Sequence, residues 1–324
     1  MKITIVGLGT TGTSLALALR NAAIRVSRHS ATAQEEIAIT GHDPEPERMA
    51  RARRLGAIDR SEWNLPAACE GSGLIVLDVP LGELRRTLEA IGDSVAPDAV
   101  IVDLALVKQP VLEAVQQVLP HPERFVGGHL LLSPHAPAGG EPSAERVRGA
   151  TFYLVALPGT SATALDVATN LAITVGAEPR HIDAAEHDGL IAATCQLPVV
   201  AAAGMLGAMA TEAGHQERGD ASGSELAALR PALIDGADAA ALLSNSANLL
   251  YWIDRYVVEL QRLRRLIGDG DGDGLSVALA EAAETVARWT ESDSGAKPTP
   301  ARRGEGGLRE LFLGGLGRSR SSRC

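Results

Sequence analysis

Four β-branched residues, Ile3–Val6, run without a break into Gly7-Leu8-Gly9-Thr10-Thr11-Gly12, and a helical pattern over Thr11–Arg20 follows at once. A strand that becomes a helix within a few residues needs a backbone that turns tightly and a helix that lies close on the strand. Glycine at the first, third and sixth positions meets both needs. The first turn of such a helix presents unpaired N–H groups at the positive end of its dipole, where a pyrophosphate can dock. Glycine is plentiful here, 34 of 324 residues. The spacing therefore means little without the strand before it and the helix after it.

The alternation continues. Apolar runs at Ile37–Thr40, Leu74–Leu77, Val100–Asp103, Phe125–His129, Thr151–Leu157 and Pro179–Asp183 read as strands. Pro44–Leu55, Gly82–Ile91, Pro110–Leu119 and Ser161–Val175 read as helices. Short apolar runs separated by helices build βαβ units. Residues 1–183 are thus predicted to form an α/β, Rossmann-type, doubly wound and mostly parallel sheet. The polar segment Ala22–Gln34 reads as a surface excursion between the first helix and the second strand. From Ala184 only helical patterns follow, over Ala184–Gly214, Ser224–Arg230, Ala237–Ile267 and Leu275–Trp289. Ile253, Tyr256, Val257, Leu260, Leu263 and Ile267 recur at helical spacing. An all-helical domain is expected over 184–290, and 291–324, rich in Ser, Gly, Pro and Arg, is expected to be a flexible tail. Leu190–Ala208 carries no charge and is long enough to span a bilayer. It is built from Ala, Gly and Thr around Gln196 and Pro198, so it is expected to be buried in protein, as the core of a homodimer.

Composition narrows the function. A net charge of −10 argues against nucleic acid or an anionic membrane as partner. Nine aromatic residues predict an aliphatic core and leave little for base stacking. Three scattered cysteines form no disulfide framework, and MKITIVGLG contains no signal core, so a reducing cytoplasm is the expected compartment. Lys is scarce, with only Lys2, Lys108 and Lys297 among 30 basic residues.

Several positions can carry chemistry. Gly7, Leu8, Gly9, Thr10, Thr11 and Gly12 form the candidate phosphate loop. Asp43, ending the second strand, can accept hydrogen bonds from both hydroxyls of an adenosine ribose, which favours NAD over NADP. Arg48 and Arg51 nearby could serve a 2′-phosphate instead. Asp43 can equally cap a helix beginning at Pro44. Val79 and Pro80, just after the Leu74–Leu77 strand, complete the cofactor-binding set. His129 follows Gly127-Gly128 at the sheet edge where doubly wound folds bind ligands. An imidazole with an unperturbed pKa near ~6.5 is mostly a base at neutral pH.

The ordered strings resemble one family. GLGTTGTSLALAL and GHDPEPERMARARRLGAID look like the start of a prephenate/arogenate dehydrogenase. LIVLDVPLGELRRTLEAI, VIVDLALVKQPVLEAV, FVGGHLLLS, GATFYLVALPGT and GAEPRHIDAAEHDGLIAATCQLP follow in that family's order, over about residues 1–290. The resemblance implies oxidative decarboxylation of a cyclohexadienyl acid with NAD as cofactor (NADP remaining open) and pairing through the helical domain. It makes His129 the catalytic base and Arg230 the grip on a substrate carboxylate, and it matches Lys108 to a family lysine. A local electrostatic role and a solvated helix start both stay open for Lys108. The site is expected between the two domains, with Gln196 and Arg230 opposite His129.

Three positions depart from the family. Leu106 stands for a serine, Gln196 for a histidine, and His135 for an acid common in bacterial members. All belong to the substrate-binding set with Arg230 and Lys108, and together they point to a modified substrate such as 4-amino-4-deoxyprephenate in a specialised pathway, for instance antibiotic biosynthesis. An ordinary prephenate or arogenate dehydrogenase of aromatic amino acid biosynthesis and a non-catalytic nucleotide-binding regulator are the alternatives. No metal is expected. His121, His129 and His135 fit no standard spacing, and Asp269–Gly274, which resembles a calcium loop, has Ala280 at its twelfth position.

Overall fold

The fold was read from a computed structural model that describes residues 1–29, 37–132, 140–210 and 238–294, together with Gly223, Leu229 and Leu233. Its described residues divide into two compact units, Met1–Ile191 with Asp238–Ser244, and 192–210 with 245–294.

The first unit is built on β1 (Lys2–Val6), β2 (Ala38–His42), β3 (Arg60–Ser61), β4 (Leu74–Leu77), β5 (Val100–Asp103), β6 (Phe125–Leu131), β7 (Thr151–Ala156) and β8 (Glu178–His181). They form a single sheet in the order β3-β2-β1-β4-β5-β6-β7-β8. Every neighbouring pair is parallel except β6 with β7. No crossover helix is found between those two strands among the described residues, and a parallel pair would need one. The helices are α1 (Thr10–His29), α2 (Pro46–Arg54), α3 (Leu65–Cys69), α4 (Leu81–Ile91), α5 (Gln109–Val118), α6 (Ala162–Val175), α7 (Ala184–Ile191) and α9 (Ala239–Ser244).

The central strands are apolar on both faces because helices cover both. Successive residues feed two separate cores. Ile3, Ile5, Leu74, Val76, Val100 and Val102 pack into one with Phe152, while Val6, Ile75, Leu77 and Ile101 pack into the other with Phe125. Both cores are mostly aliphatic, as the composition requires.

Several boundaries shift. The predicted excursion over Ala22–Gln34 is helical as far as His29, because nothing between Gly12 and Gly41 is Gly or Pro and the Asn21-Ala22-Ala23 stretch favours helix. The helix after β2 begins at Pro46, not Pro44. Glu45 is its N-cap residue without a side-chain cap, and Asp43 accepts the Glu45 N–H at 2.9 Å just before it. The short β3 and α3 have too little periodicity to be read from sequence.

The second unit contains a π-helical turn, Ala192–Gln196, then α8 (Leu197–Ala210), α10 (Ser246–Gly268) and α11 (Gly272–Ser294). The expected helix Ala237–Ile267 is interrupted at Asn245, and α11 runs four residues into the predicted tail. Asp271 caps α11, accepting the Gly274 N–H at 2.9 Å, so the Asp-Gly repeat forms a helix turn. The helical stripe on α10 is present, but within this chain Tyr256, Val257, Leu260 and Ile267 stay exposed. The helix Ala184–Ala210 is apolar and long enough to cross a membrane by length and composition, and only 28% of its most apolar window is buried within the chain. Most of the burial expected for it is therefore not supplied among the described residues.

One buried polar link ties β1 to α3. The Thr4 hydroxyl donates to the Ala68 carbonyl at 2.7 Å and lies 2.7 Å from the Ser72 hydroxyl. Thr4→Val keeps the shape and strands both partners, so the denaturant midpoint should fall by an amount equivalent to about 1–3 kcal/mol. An unchanged midpoint would show that the link contributes nothing.

Candidate active site

β1 has β2 on one side and β4 on the other, and the chain winds in opposite directions from it. That switch point opens a crevice at the C-terminal ends of the strands. The glycine loop lines it. Gly7 has φ +93°, and a Cβ there would overlap the Asp78 carbonyl oxygen. A Cβ on Gly12 would overlap the Gly7 carbonyl oxygen, so the third glycine is what lets α1 lie on the strand end. First-turn N–H groups have no intrahelical partner. Those of Thr10 and Thr11 find no acceptor among the described residues, which leaves donors for a phosphate. These features fit a dinucleotide.

Acids at the strand ends hold this rim. Asp43 is buried, accepts the Leu8 N–H at 2.7 Å and lies 3.8 Å from Arg48. Asp78, outside the predicted cofactor-binding set, accepts the Gly12 N–H at 2.7 Å. Burial, with Asp43 adding to it, raises its carboxyl to about 6, against the lowering effects of the Gly12 N–H and Arg48. Val79 is half-buried, and exposed Pro80 is the N-cap residue of α4.

A second group gathers at the ends of β5 and β6. Lys108 is fully buried, and its ammonium donates to Asp103 and to the Gly128 carbonyl, both at 2.5 Å. Burial lowers its pKa, while Asp103 and Asp188 oppose the shift. This corrects the solvated helix-start alternative, and both named partners of the ammonium are groups of the protein. Asp103 also accepts the N–H groups of Ala105 at 2.8 Å and Gly128 at 3.0 Å. Gly128 is required here because a Cβ would run into the Asp103 carbonyl oxygen and the Phe152 ring.

His129, 7% exposed, follows on β6. Its Nδ1 lies 3.1 Å from His187 Nε2, and His187 Nδ1 lies 2.9 Å from Asp188 Oδ1. Asp188 also accepts the Lys108 N–H at 2.7 Å and the Gln109 N–H at 2.9 Å, so it serves α5 as well as His187. The proton positions follow from this chain of contacts. Asp188 accepts from His187 Nδ1–H, which leaves His187 Nε2 to accept from His129 Nδ1–H. The lone pair of His129 is then on Nε2, the nitrogen turned away from the relay. Burial, then His187 and Lys108, hold the His129 pKa well below 6.5, so the ring stays a neutral base. Tyr153, directly opposite on β7, sets its ring 6.2 Å from that of His129 and 5.5 Å from that of His187.

Among the other predicted residues, Leu106 is half-buried between β5 and α5. Gln196 is buried in the second unit, where its carbonyl accepts from the Asn245 amide at 2.8 Å. His135 and Arg230 lie outside the described residues. Burial raises the Cys195 thiol, the direction of a packing thiol rather than a nucleophile.

A family model described as the nucleotide-binding domain of prephenate dehydrogenase matches residues 28–180. Prephenate dehydrogenase of Bacillus subtilis is 26% identical over 291 residues, covering 85% of this chain and 73% of the relative. Cyclohexadienyl dehydrogenase of Zymomonas mobilis is 25% identical over 290 residues, covering 84% of this chain and 90% of the relative. By this model and by both relatives, the chain is similar to prephenate and cyclohexadienyl dehydrogenases. The fold agrees. Prephenate dehydrogenase of A. aeolicus, solved in complex with hydroxyphenyl propionate and NAD+, superposes with a TM-score of 0.68 at 20% identity, over 89% of this chain and 98% of that one. Synechocystis arogenate dehydrogenase gives 0.65 at 22% identity, over 89% and 100%.

The Lys108–Asp103 pair should be the largest single polar contribution to the site's stability. Lys108→Met leaves Asp103 buried without its cation, and about 3–5 kcal/mol of unfolding free energy should be lost. Urea unfolding followed by circular dichroism checks it. A loss well under 1 kcal/mol would mean the site collapses around the gap.

Proposed function

We propose that this NAD-dependent dehydrogenase oxidatively decarboxylates a prephenate-like cyclohexadienyl acid, and that its substrate is a modified one such as 4-amino-4-deoxyprephenate. The observation that carries the dehydrogenase chemistry is the Asp188–His187–His129 relay, which leaves the His129 lone pair on Nε2, away from the relay, on a ring kept neutral by burial. When bound, the nicotinamide supplies the hydride acceptor. His129 Nε2 accepts the proton of the substituent on the ring carbon that loses hydride. The electrons of the broken carboxylate bond stay in the ring, which becomes aromatic as carbon dioxide leaves. Arg230 is the residue we assign to a substrate carboxylate, as a charge-assisted, bidentate donor.

Two features favour NAD over NADP. Asp43 lies at the β2 end, with lone pairs left for ribose hydroxyls beyond its two backbone partners. The two arginines that could hold a 2′-phosphate are already paired, Arg48 with Glu45 at 3.0 Å and Arg51 with Glu141 at 2.5 Å. The modified substrate is supported by the departures. Leu106 offers no hydroxyl, and Gln196 is an uncharged amide whose carbonyl already accepts from Asn245. A group that pairs with an ordinary substrate would be left unmatched by such changes, at a cost of about 1–3 kcal/mol each.

His129→Asn should lower kcat by orders of magnitude while NADH still binds, measured by absorbance and by fluorescence titration. In the wild-type enzyme the acid limb of kcat/KM should fall below the ordinary histidine range, because the neutral, active form of His129 persists to lower pH. A limb at or above ~6.5 would remove His129 as the titrating base. Comparing turnover of prephenate, arogenate and 4-amino-4-deoxyprephenate decides the substrate. Clear preference for prephenate or arogenate returns the ordinary reading.

We further propose that the protein is a homodimer. The support is the mostly uncovered apolar helix Ala184–Ala210 and the exposed apolar positions of α10. Light scattering should give twice the chain mass, and a monomer at micromolar concentration would refute it.

A further inference from the structure

The phosphate cradle contains an anion of the protein's own. Asp78 is the first residue after β4, and its N–H donates to the Val6 carbonyl at 2.7 Å, which fixes it against the end of β1. Its carboxylate then turns back onto the loop. Oδ2 accepts the Gly12 N–H at 2.7 Å and lies 3.7 Å from the point a Cβ on Gly9 would occupy. Gly9 is the glycine whose lack of a side chain lets a pyrophosphate approach the backbone. A carboxylate therefore faces the same small space, on one of the N–H groups that make a helix N-terminus attractive to phosphate.

We propose that Asp78 is a built-in occupant of this cradle, which a dinucleotide must displace or neutralise on binding, and that it thereby sets the affinity for the cofactor. The inference rests on the nucleotide-binding reading above and goes beyond it, since neither the glycine loop nor Asp43 requires an acid here. In the free protein Asp78 feels Asp43 from the end of β2 and Arg48 from α2, and the first outweighs the second. Burial is the largest push on the carboxyl and outweighs the Gly12 N–H, and the group protonates at about 6. A bound pyrophosphate brings more negative charge, so it can only raise that value. The complex then holds a proton that the free protein has released. Affinity should rise as pH falls through the window above about 6 and level off below it, where free Asp78 is already neutral.

Asp78→Asn tests this cleanly, because the amide oxygen can still accept from Gly12 while the charge is gone. The probe is NADH, titrated into the full chain by fluorescence and by calorimetry in two buffers of different ionisation heat. For the wild type, Kd should increase several-fold between about pH 6 and about pH 8, with proton uptake near neutrality. For Asp78→Asn the profile should be flat, without proton uptake, and binding at the alkaline end should be several-fold tighter. Equal pH profiles and equal proton uptake in the two proteins would overturn the proposal. So would weaker binding by the variant at the alkaline end, which would make the carboxylate a support of the loop. Failure of both proteins to bind NADH at any pH would overturn the nucleotide-binding reading and this proposal with it.

Discussion

The site's geometry depends on a buried ion pair. Lys108 and Asp103 are both without solvent contact, and together they hold the backbone on either side of the β5–β6 edge. Asp103 accepts the Gly128 N–H and the Lys108 ammonium donates a hydrogen bond to the Gly128 carbonyl, so the residue before His129 is clamped at both its peptide groups. Two charges withdrawn from water are tolerated because they meet each other and because further hydrogen bonds use what remains of their capacity. The aliphatic chain of Lys108 packs close beside Gly127, so the same residue also fills the space under the strand.

A common device recurs around this pair. Asp43, Asp78 and Asp103 follow or end β2, β4 and β5, and each accepts a backbone N–H from a neighbouring segment at the same edge of the sheet, that of Leu8 in the glycine loop, Gly12 in the first turn of α1 and Gly128 in β6. Asp188, from α7, does the same for the start of α5 and also orients His187. Acids at these places stabilise loops that must stay open to a ligand, since a loop with no regular partner still needs its buried N–H groups satisfied. The cost is negative charge beside the candidate phosphate loop. Asp103 is offset by Lys108. Asp78 has only Arg48 as an opposing cation, and burial, with Asp43 adding to it, outweighs Arg48 and the Gly12 N–H, so its carboxyl takes up a proton at a higher pH than an ordinary one.

Much of this was legible in the chain. The strands Leu74–Leu77 and Val100–Asp103 were bounded correctly because both faces are buried and the apolar run is uninterrupted. The glycine loop was legible from its strand and helix. The antiparallel β7, the continuation of α1 to His29 and the break at Asn245 were not, because each depends on what packs alongside rather than on local pattern. Asp78 left a signal that went unread, an acid closing an apolar strand just as Asp43 and Asp103 do. His187 and Asp188 were visible as residues, but nothing in their spacing from His129, 58 residues for His187, says that the rings touch.

The sequence by itself determined the βαβ alternation, the glycine loop and the candidacy of His129, because periodicity and glycine spacing are local properties that backbone sterics enforce within a few residues. Only the tertiary structure decided the chemistry's details. It buried Lys108 against Asp103, made Asp188 and His187 choose the tautomer of His129, and turned Asp78 onto the Gly12 N–H. Those outcomes are set by desolvation and by hydrogen-bond partners brought together from distant segments, and neither quantity exists until the sheet has formed.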